Sequence, residues 1–227
     1  MTRNGLISTW FVCLLIGGVG RAHGLDPSRH ITQYAHTAWR VPDGVFGGTP
    51  NAITQTTDGY IWIGTLDGLV RFDGVRFVSW TAPEGTGLPS SEIYSLLTAR
   101  DGSLWIGTGR GLARWRDGIL VNYADPPGRV NAILEDREGT IWMVRTRIVD
   151  QSGPLCRVTG EMLHCYGGGD GLTCPYGTAL AVDGEGSLWV GSAEAVCRWK
   201  PGSSSTYLQK ELKPTEGLSG VGALIAK

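Results

Sequence analysis

One short pattern recurs four times and constrains the fold more than any other feature of the sequence. Its first two copies are Asp58-Gly59-Tyr60-Ile61-Trp62-Ile63-Gly64-Thr65 and Asp101-Gly102-Ser103-Leu104-Trp105-Ile106-Gly107-Thr108, and shorter copies surround Trp142 and Trp189. The tryptophans of successive copies are 43, 37 and 47 residues apart. Repetition at such a period is typical of solenoids, propellers and arrays, so the sequence predicts a repeat protein.

Each unit predicts four short antiparallel strands joined by hairpins. In the second unit, an apolar stretch leads through Asp101-Gly102, a turn pair, into a strand around Trp105, and Asp117-Gly118 precedes the fourth strand. Leu104 and Ile106 occupy one face of the second strand and Trp105 the other, so both faces must be covered. Propeller blades stacked around an axis provide that cover. A β-sandwich is the rival fold, but it gives no reason for the repeat.

The predicted fold is therefore all-β, with four-stranded antiparallel propeller blades over residues 51–227. Second strands are expected near residues 60–65, 103–108, 140–144 and 187–192. Residues 217–224 resemble the beginning of a fifth unit. We therefore expect an incomplete, open arc of about four blades from a longer protein. Residues 25–50 are expected to form a lead-in, with a strand at 31–40.

The first 24 residues have the pattern of a secretory signal peptide. Arg3 provides a positive start, residues 6–19 are apolar, and small residues surround Ala22. An uncleaved N-terminal anchor is the alternative. Either segment predicts export, to the periplasm or to the extracellular side of the cytoplasmic membrane.

Composition and motif content argue against several function classes. The formal net charge of -1 predicts no nucleic-acid partner. The sequence has no Ser-His-Asp order, nucleotide-binding loop or zinc signature, and its four histidines are scattered. We accordingly predict no catalytic residue, no metal site and no cofactor for this chain.

Four cysteines follow the signal segment, and export makes two disulfides the first expectation. Four cysteines allow three connectivities. Cys156 and Cys165 flank a predicted hairpin turn, which places them on one face of adjacent strands, so Cys156–Cys165 is the favoured pair and Cys174–Cys197 the remaining one. Metal binding is less favoured because no CxxC pair is present. A free pair of thiols is the other alternative.

The repeated residues are interpreted as scaffold rather than as a site. The acidic residues of the turns are expected to shape those turns, and the tryptophans and glycines are expected to pack blades and form corners. This structural set comprises Asp58, Trp62, Gly64, Asp101, Trp105, Gly107, Trp142, Trp189 and Gly191, together with Asp183 as a turn residue.

The pattern Asp-Gly-x-Ile/Leu-Trp-Ile/Val-Gly-Thr, followed by Gly-Leu-x-Arg-Phe/Trp-x-x-Gly, resembles the two-component regulator propeller repeat. The resemblance covers about residues 31–225, and the third unit departs from it at Val144-Arg145. The resemblance implies a sensor region outside the cytoplasmic membrane, connected through a C-terminal membrane segment to a histidine kinase absent from this chain. A dimeric full-length receptor is a further expectation.

Strand direction predicts where a ligand would bind. The links between units and the corners between second and third strands share one edge, the link rim, whereas both turns of each unit share the opposite edge, the turn rim. Variable loops on a rigid scaffold commonly carry function. We therefore predict ligand contacts on the link rim from the long third corner and two neighbouring segments: Arg145, Arg147, Asp150, Gln151, Arg110 and Asp170. A solvated or internally braced loop is the structural alternative.

Three functions remain open at this point. The first is a ligand-sensing region of a signalling receptor, with a small molecule, glycan fragment or protein as its ligand. The second is an exported propeller enzyme acting on glycans, for which Asp150 and Asp170 are the obvious acid–base pair. The third is a secreted protein-interaction platform.

Overall fold

The structure is a computed structural model that describes residues 37–123, 126–146 and 152–208. The chain divides into two compact units, Met1–Ala38 and Trp39–Lys227. Of the first unit only Thr37 and Ala38 are described, and both are exposed and outside any strand. The predicted signal segment, most of the predicted strand at 31–40 and the expected fifth unit lie outside the described residues. No helix in the described part of the chain is long and apolar enough to cross a membrane.

The described residues form four sheets of four antiparallel strands, which confirms the predicted fold class. Each sheet is one blade with its strands in sequence order. Blade 1 comprises β1 (Pro50–Gln55), β2 (Ile61–Thr65), β3 (Gly68–Phe72) and β4 (Phe77–Ser79). Blade 2 comprises β5 (Ile93–Thr98), β6 (Leu104–Thr108), β7 (Gly111–Arg116) and β8 (Ile119–Tyr123). Blade 3 comprises β9 (Arg129–Glu135), β10 (Ile141–Thr146), β11 (Leu155–Thr159) and β12 (Met162–Tyr166). Blade 4 comprises β13 (Ala179–Val182), β14 (Leu188–Gly191), β15 (Ala195–Lys200) and β16 (Ser203–Leu208).

Glycine makes the first hairpin turn of each blade possible. Gly59, Gly102, Gly139 and Gly186 all have positive φ, which only glycine adopts without strain. The acidic residue before Gly102 completes that turn, because Asp101 Oδ1 accepts the backbone N–H of Ser103 at 2.9 Å. In blades 3 and 4 the equivalent acceptors are Asp136 and Asp183, three residues before the glycine, so the glycine is constant and the position of the carboxylate varies.

Consecutive blades contact one another through their first strands, with β1 beside β5, β5 beside β9 and β9 beside β13. Apolar clusters fill the space between them. Leu104 and Ile106 belong to the cluster shared with blade 1, whereas Trp105 belongs to the cluster shared with blade 3. The second strand of blade 2 is thus covered on both faces, as its sequence predicts.

At one repeated position, a glycine on one blade faces a larger side chain on the next blade, or the reverse; we call this pairing the size exchange. A Cβ added at Gly64 would lie 2.4 Å from Cγ2 of Ile93 in the next blade. Blade 3 has Val144 at the position of Gly64, and the residue facing it from blade 4 is Gly177, where an added Cβ would lie 2.5 Å from Val144 Cβ. The departure of the third unit from the Gly-Thr pattern is therefore compensated across the blade interface, as dense packing requires.

The outer face of blade 1 remains uncovered within the described residues. Ile53 is 69% exposed, and Trp39, Phe46, Phe72 and Phe77 form an aromatic cluster beside it. A blade face of this apolar character is normally packed against a neighbour.

Both favoured disulfides are present, in the second half of the chain. Cys156 and Cys165 are directly opposite each other on β11 and β12 and are bonded. Cys174, in the link before blade 4, is bonded to Cys197 on β15. The first fixes a hairpin, and the second fastens the link to the blade that follows it.

Candidate functional site

On the turn rim, the repeat tryptophans of blades 1, 3 and 4 are positioned by the residue six places before them. The indole N–H donates to Asp136 Oδ2 at 2.7 Å from Trp142 and to Asp183 Oδ2 at 2.9 Å from Trp189. In blade 1 the acceptor of the Trp62 indole N–H is the hydroxyl of Thr56, at 3.0 Å. The equivalent residue of blade 2 is Ala99, which offers no acceptor.

The carboxylate of Asp183 is the most heavily bonded of these acceptors. It also accepts the backbone N–H groups of Glu185 and Ser187 and the Nε–H of Arg198. The indole N–H of Trp189 contributes most to lowering the pKa of Asp183, and these other donors outweigh the opposing effect of burial. Asp183 therefore stabilises its turn as an anion.

Asp101 is a turn residue of the same kind in blade 2. Burial acts to raise its pKa, but the backbone N–H and hydroxyl of Ser103 and the charge of Arg116 outweigh burial and leave the pKa below its ordinary value. Asp58 likewise accepts the hydroxyl of Thr56, at 2.5 Å. These carboxylates are engaged in local structure, which is the role that the sequence predicts for them.

The link rim has no such regularity, and each blade begins differently there. The first strands of blades 1, 2 and 3 contain a bulge, at Asn51, Tyr94 and Asn131 respectively. A bulge redirects a side chain out of the ladder, and bulges are frequent next to functional sites. The bulge residues of blades 2 and 3 lie in one group of polar side chains.

We call this group the link-rim cluster; it consists of Glu92, Tyr94, Arg129, Asn131 and Thr146. The guanidinium Cζ of Arg129 lies 4.8 Å from the centre of the Tyr94 ring, and Arg129 Nε donates to Thr146 Oγ1 at 3.2 Å. The Tyr94 hydroxyl donates to Glu92 Oε2 at 3.4 Å. Glu92 is exposed and the other four side chains are half-buried.

Backbone contacts from neighbouring segments hold the link-rim cluster in place. Asn131 Nδ2 donates to the carbonyl of Gly177 at 2.8 Å, which joins blade 3 to the beginning of blade 4. Gly109 leaves room for the Glu92 carboxylate, because an added Cβ would lie 2.6 Å from Glu92 Oε2. The result is a carboxylate, a phenol, a guanidinium and an amide on a rigid base, a set suited to recognising polar groups.

The structure gives Arg145 a bracing position. Its side chain is fully buried at the end of β10, where Nε donates to the Gly153 carbonyl at 3.0 Å and Nη1 to the Pro127 carbonyl at 2.6 Å. Its Nη2 also contacts the Ser152 hydroxyl. Arg145 replaces the hydroxyl residue of the other units, such as Thr108, which bonds Gly111 O at 2.8 Å to close a short corner. The corner between the second and third strands has more residues in blade 3 than in blade 2, and the side chain that bonds across it is correspondingly longer.

The other predicted ligand residues are distributed differently. Arg110 is exposed and follows Gly109, so it borders the link-rim cluster. Asp170 is exposed, but its contacts lie elsewhere: its carboxylate accepts the Gly167 N–H and its carbonyl accepts the indole of Trp199 in blade 4. Arg147, Asp150 and Gln151 lie outside the described residues. The described residues contain no group of metal-ligating side chains.

The repeat pattern in the sequence does not single out the members of the link-rim cluster. Tyr94 and Asn131 lie within predicted apolar strands, where a polar side chain is expected to face solvent. The available signal is the interruption of apolar alternation at the beginning of a first strand. Such an interruption marks a bulge only once the pairing with the second strand is known.

Comparison with known proteins gives one family match. A model described as two component regulator propeller matches residues 87–110, which include the beginning of blade 2 and its first two strands. No curated protein matches the chain.

Several solved structures resemble this fold. The extracellular domain of BT3049 from B. thetaiotaomicron, described as belonging to a hybrid two component system, is 18% identical with a TM-score of 0.61, over 71% of this chain and 25% of that one. Virginiamycin B lyase from Staphylococcus aureus is 18% identical with a TM-score of 0.53, over 74% of this chain and 56% of that one. The gluconolactonase XC5397 from Xanthomonas campestris is 18% identical with a TM-score of 0.52, over 70% and 61% of the two chains.

At these identities the likeness is one of fold, which receptors and enzymes share. The chain spans less than two thirds of the length of each of these structures. The family model, in contrast, matches the repeat itself. In fold the chain thus resembles β-propellers, and its residues 87–110 match the model described as two component regulator propeller.

Proposed function

We propose that this chain is the extracytoplasmic ligand-sensing propeller region of a two-component signalling receptor. The observation that carries the proposal is the two-component regulator propeller repeat at residues 87–110. In this proposal, the blades bind a ligand and pass the change to a membrane segment and a kinase that are encoded beyond this chain.

The disulfides support an extracytoplasmic location. Cys156–Cys165 and Cys174–Cys197 account for all the cysteines of the described residues. Disulfides persist in oxidising compartments and are rare in a reducing cytosol. The apolar segment at residues 6–19, with its positive start, is consistent with export.

The link-rim cluster supports a place for the ligand. Glu92 is an exposed acceptor, Arg129 supplies guanidinium donors, and Tyr94 supplies both a hydroxyl and an apolar edge. A hydroxyl-rich small molecule or glycan fragment offers matching donors and acceptors at close spacing. We therefore assign the ligand to this surface, with Arg110 at its border.

A thermal-shift panel tests this assignment. The protein expressed from its full reading frame is heated with neutral mono- and oligosaccharides, and its melting temperature is recorded. Each kcal/mol of binding free energy raises the melting temperature by about 2–4 °C for a domain of this size. Glu92→Gln and Tyr94→Ala should abolish any rise, whereas Arg116→Gln on the turn rim should retain it.

Three outcomes would contradict the proposal. A rise that persists in both link-rim variants places the ligand elsewhere. Reducing ends released from the panel sugars indicate the alternative, an exported glycan enzyme. If the full reading frame encodes neither a membrane-spanning segment nor a kinase, the receptor function is excluded and the protein-interaction platform is the remaining hypothesis.

A further inference from the structure

Three equivalent clefts open between neighbouring blades on the turn rim, and one of them is much larger than the others. The cleft between blades 1 and 2 has a volume of about 350 Å³, and the one between blades 3 and 4 about 230 Å³. The cleft between blades 2 and 3 measures about 700 Å³. All three are lined by a repeat tryptophan and the turns around it, so the difference must come from particular residues.

The large cleft coincides with the missing acceptor of blade 2. The residue six places before the tryptophan is Thr56 in the first cleft and Asp136 in the third, and each lines its cleft and accepts the indole N–H. In the large cleft that residue is Ala99, and Trp105 lines the same cleft. In this cleft, therefore, the residue at that position offers no acceptor for the indole N–H.

As a consequence, Trp105 carries an unsatisfied donor. Trp105 is 4% exposed. Within the described residues, its Nε1 is a buried side-chain nitrogen that has no hydrogen-bond partner. Buried N–H groups are nearly always paired, and leaving one unpaired is unfavourable. The orphaned indole N–H next to the cleft therefore indicates a missing acceptor, which would reach the enclosed Nε1 by displacing neighbouring side-chain atoms.

A second donor stands beside the first. Arg114 lies directly opposite Trp105 on β7, with its guanidinium Cζ 5.8 Å from the ring centre. In blade 4 the equivalent pair has nearly the same geometry, with Arg198 Cζ 5.7 Å from the Trp189 ring. There, both donors converge on one carboxylate oxygen, Asp183 Oδ2, at 2.9 Å from Trp189 Nε1 and 3.1 Å from Arg198 Nε.

We propose that the cleft between blades 2 and 3 binds the carboxylate of a small organic acid, with one carboxylate oxygen occupying the place that Asp183 Oδ2 has in blade 4. The oxygen would accept from Trp105 Nε1 and the Arg114 guanidinium. Ala99, Ile141 and Val158 line the same cleft and provide apolar surface for the body of the acid. The ligand class is therefore a monocarboxylate with an apolar or aromatic body.

The other charges of the cleft favour Arg114 as the contact for the anion. Among the charged residues that line this cleft, Arg100 is paired with Glu135 at 3.1 Å, and Asp101 is paired with Arg116 at 2.8 Å. Glu138 is exposed and adds a negative charge to the cleft, which the two donors must outweigh for an anion to bind. The site is on the turn rim, opposite the link-rim cluster, so it is independent of the function proposed above.

Phenylacetate is the probe, and phenylacetamide is the matched control because it has the same aromatic body without the charge. In protein labelled with ¹⁵N-tryptophan, the indole signal of Trp105 is identified by its loss in Trp105→Phe. Titration with phenylacetate should shift this signal, and phenylacetamide should bind at least about tenfold more weakly because a hydrogen bond to a charged acceptor is lost.

Two variants test whether the ligand carboxylate takes the place of the acceptor that Ala99 does not provide. Ala99→Asp supplies the acid within the chain, so the Trp105 signal should shift without ligand, the melting temperature should rise by a few degrees, and phenylacetate binding should be lost. Arg114→Gln should weaken phenylacetate binding about tenfold. The equivalent change in the next blade, Arg157→Gln, should leave binding unchanged.

Several results would overturn the proposal. One is the absence of any shift of the Trp105 signal at every soluble concentration of phenylacetate, which would leave the cleft a solvent-filled gap. Another is equal binding of phenylacetate and phenylacetamide. A third is unchanged phenylacetate binding in Ala99→Asp or in Arg114→Gln.

Discussion

The two rims of the same four blades follow different rules. On the turn rim, glycines at equivalent places form the hairpins, and three of the four repeat tryptophans donate to the residue six places before them. On the link rim, the bulge residue changes from Asn51 to Tyr94 to Asn131, and a buried Arg145 replaces Thr108. Repetition thus specifies the fold, and departures from repetition mark the places with individual chemistry.

The largest expected effect concerns Arg145, the most individual residue of the link rim. Arg145→Met removes the donors to the carbonyls of Pro127 and Gly153 inside a buried corner. We expect a loss of about 3 kcal/mol in the free energy of unfolding, measured by urea denaturation. Arg110→Met, at an exposed corner residue, should change it by less than about 0.5 kcal/mol. Equal effects of the two changes would contradict the bracing role.

The size exchange between blades should be the next largest effect. Gly64→Val places side-chain atoms where Ile93 already packs and should cost about 2 kcal/mol of unfolding free energy. Combining it with Ile93→Gly reproduces the Val144–Gly177 arrangement of blades 3 and 4. In urea denaturation, the double variant should be more stable than the sum of the single changes by about 1 kcal/mol or more. Strict additivity would show that the two positions do not fit each other.

On the turn rim, Asp136→Ala should make blade 3 resemble blade 2. It removes the acceptor of the Trp142 indole N–H and of two backbone N–H groups in the turn. We expect a loss of about 1–2 kcal/mol in the free energy of unfolding, again by urea denaturation. Glu138→Ala, at an exposed residue of the same turn, is the control and should be close to neutral. A neutral Asp136→Ala would remove the structural role of this acceptor.

The smallest expected effect is a pH dependence centred on Asp183. Its pKa in the folded protein is below the ordinary value of 3.8, chiefly because of the Trp189 indole N–H. The stabilisation from its anion is therefore complete above about pH 4 and is lost as the pH falls through the folded pKa. Asp183→Asn should reduce the loss of stability between pH 5 and pH 3, in urea denaturation at each pH. An unchanged acid dependence would contradict the assignment.

Much of the scaffold follows from the sequence because its signals are local. Asp-Gly pairs specify turns, and the alternation around Trp105 requires cover on both faces, so blades can be inferred without knowing any contact. The Cys156–Cys165 pair follows from hairpin register in the same way. The course of the link before blade 4 cannot be inferred from local sequence, because it depends on the Cys174–Cys197 bond and on the contact between Asp170 and Trp199.

The candidate sites depend on contacts between units, which a local pattern does not contain. Arg145 looks like a surface cation in the sequence, and only the meeting of three segments makes it a buried brace. Asp183 precedes the turn glycine Gly186 by three places, so its bond to Trp189 is not evident from the Glu185-Gly186 pair. The substitution of Ala99 becomes informative only beside the acceptors of the other blades.

Hydrogen exchange is the direct test of the proposal that the sensed sugar binds at the link rim. Amide exchange is measured on the protein from the full reading frame, with and without the neutral sugar that gives the largest thermal shift. Exchange should slow at residues 92–94 and 129–131 and should not change at the turns around Gly102, Gly139 and Gly186. Slower exchange confined to those turns, with none at the link-rim cluster, would contradict it.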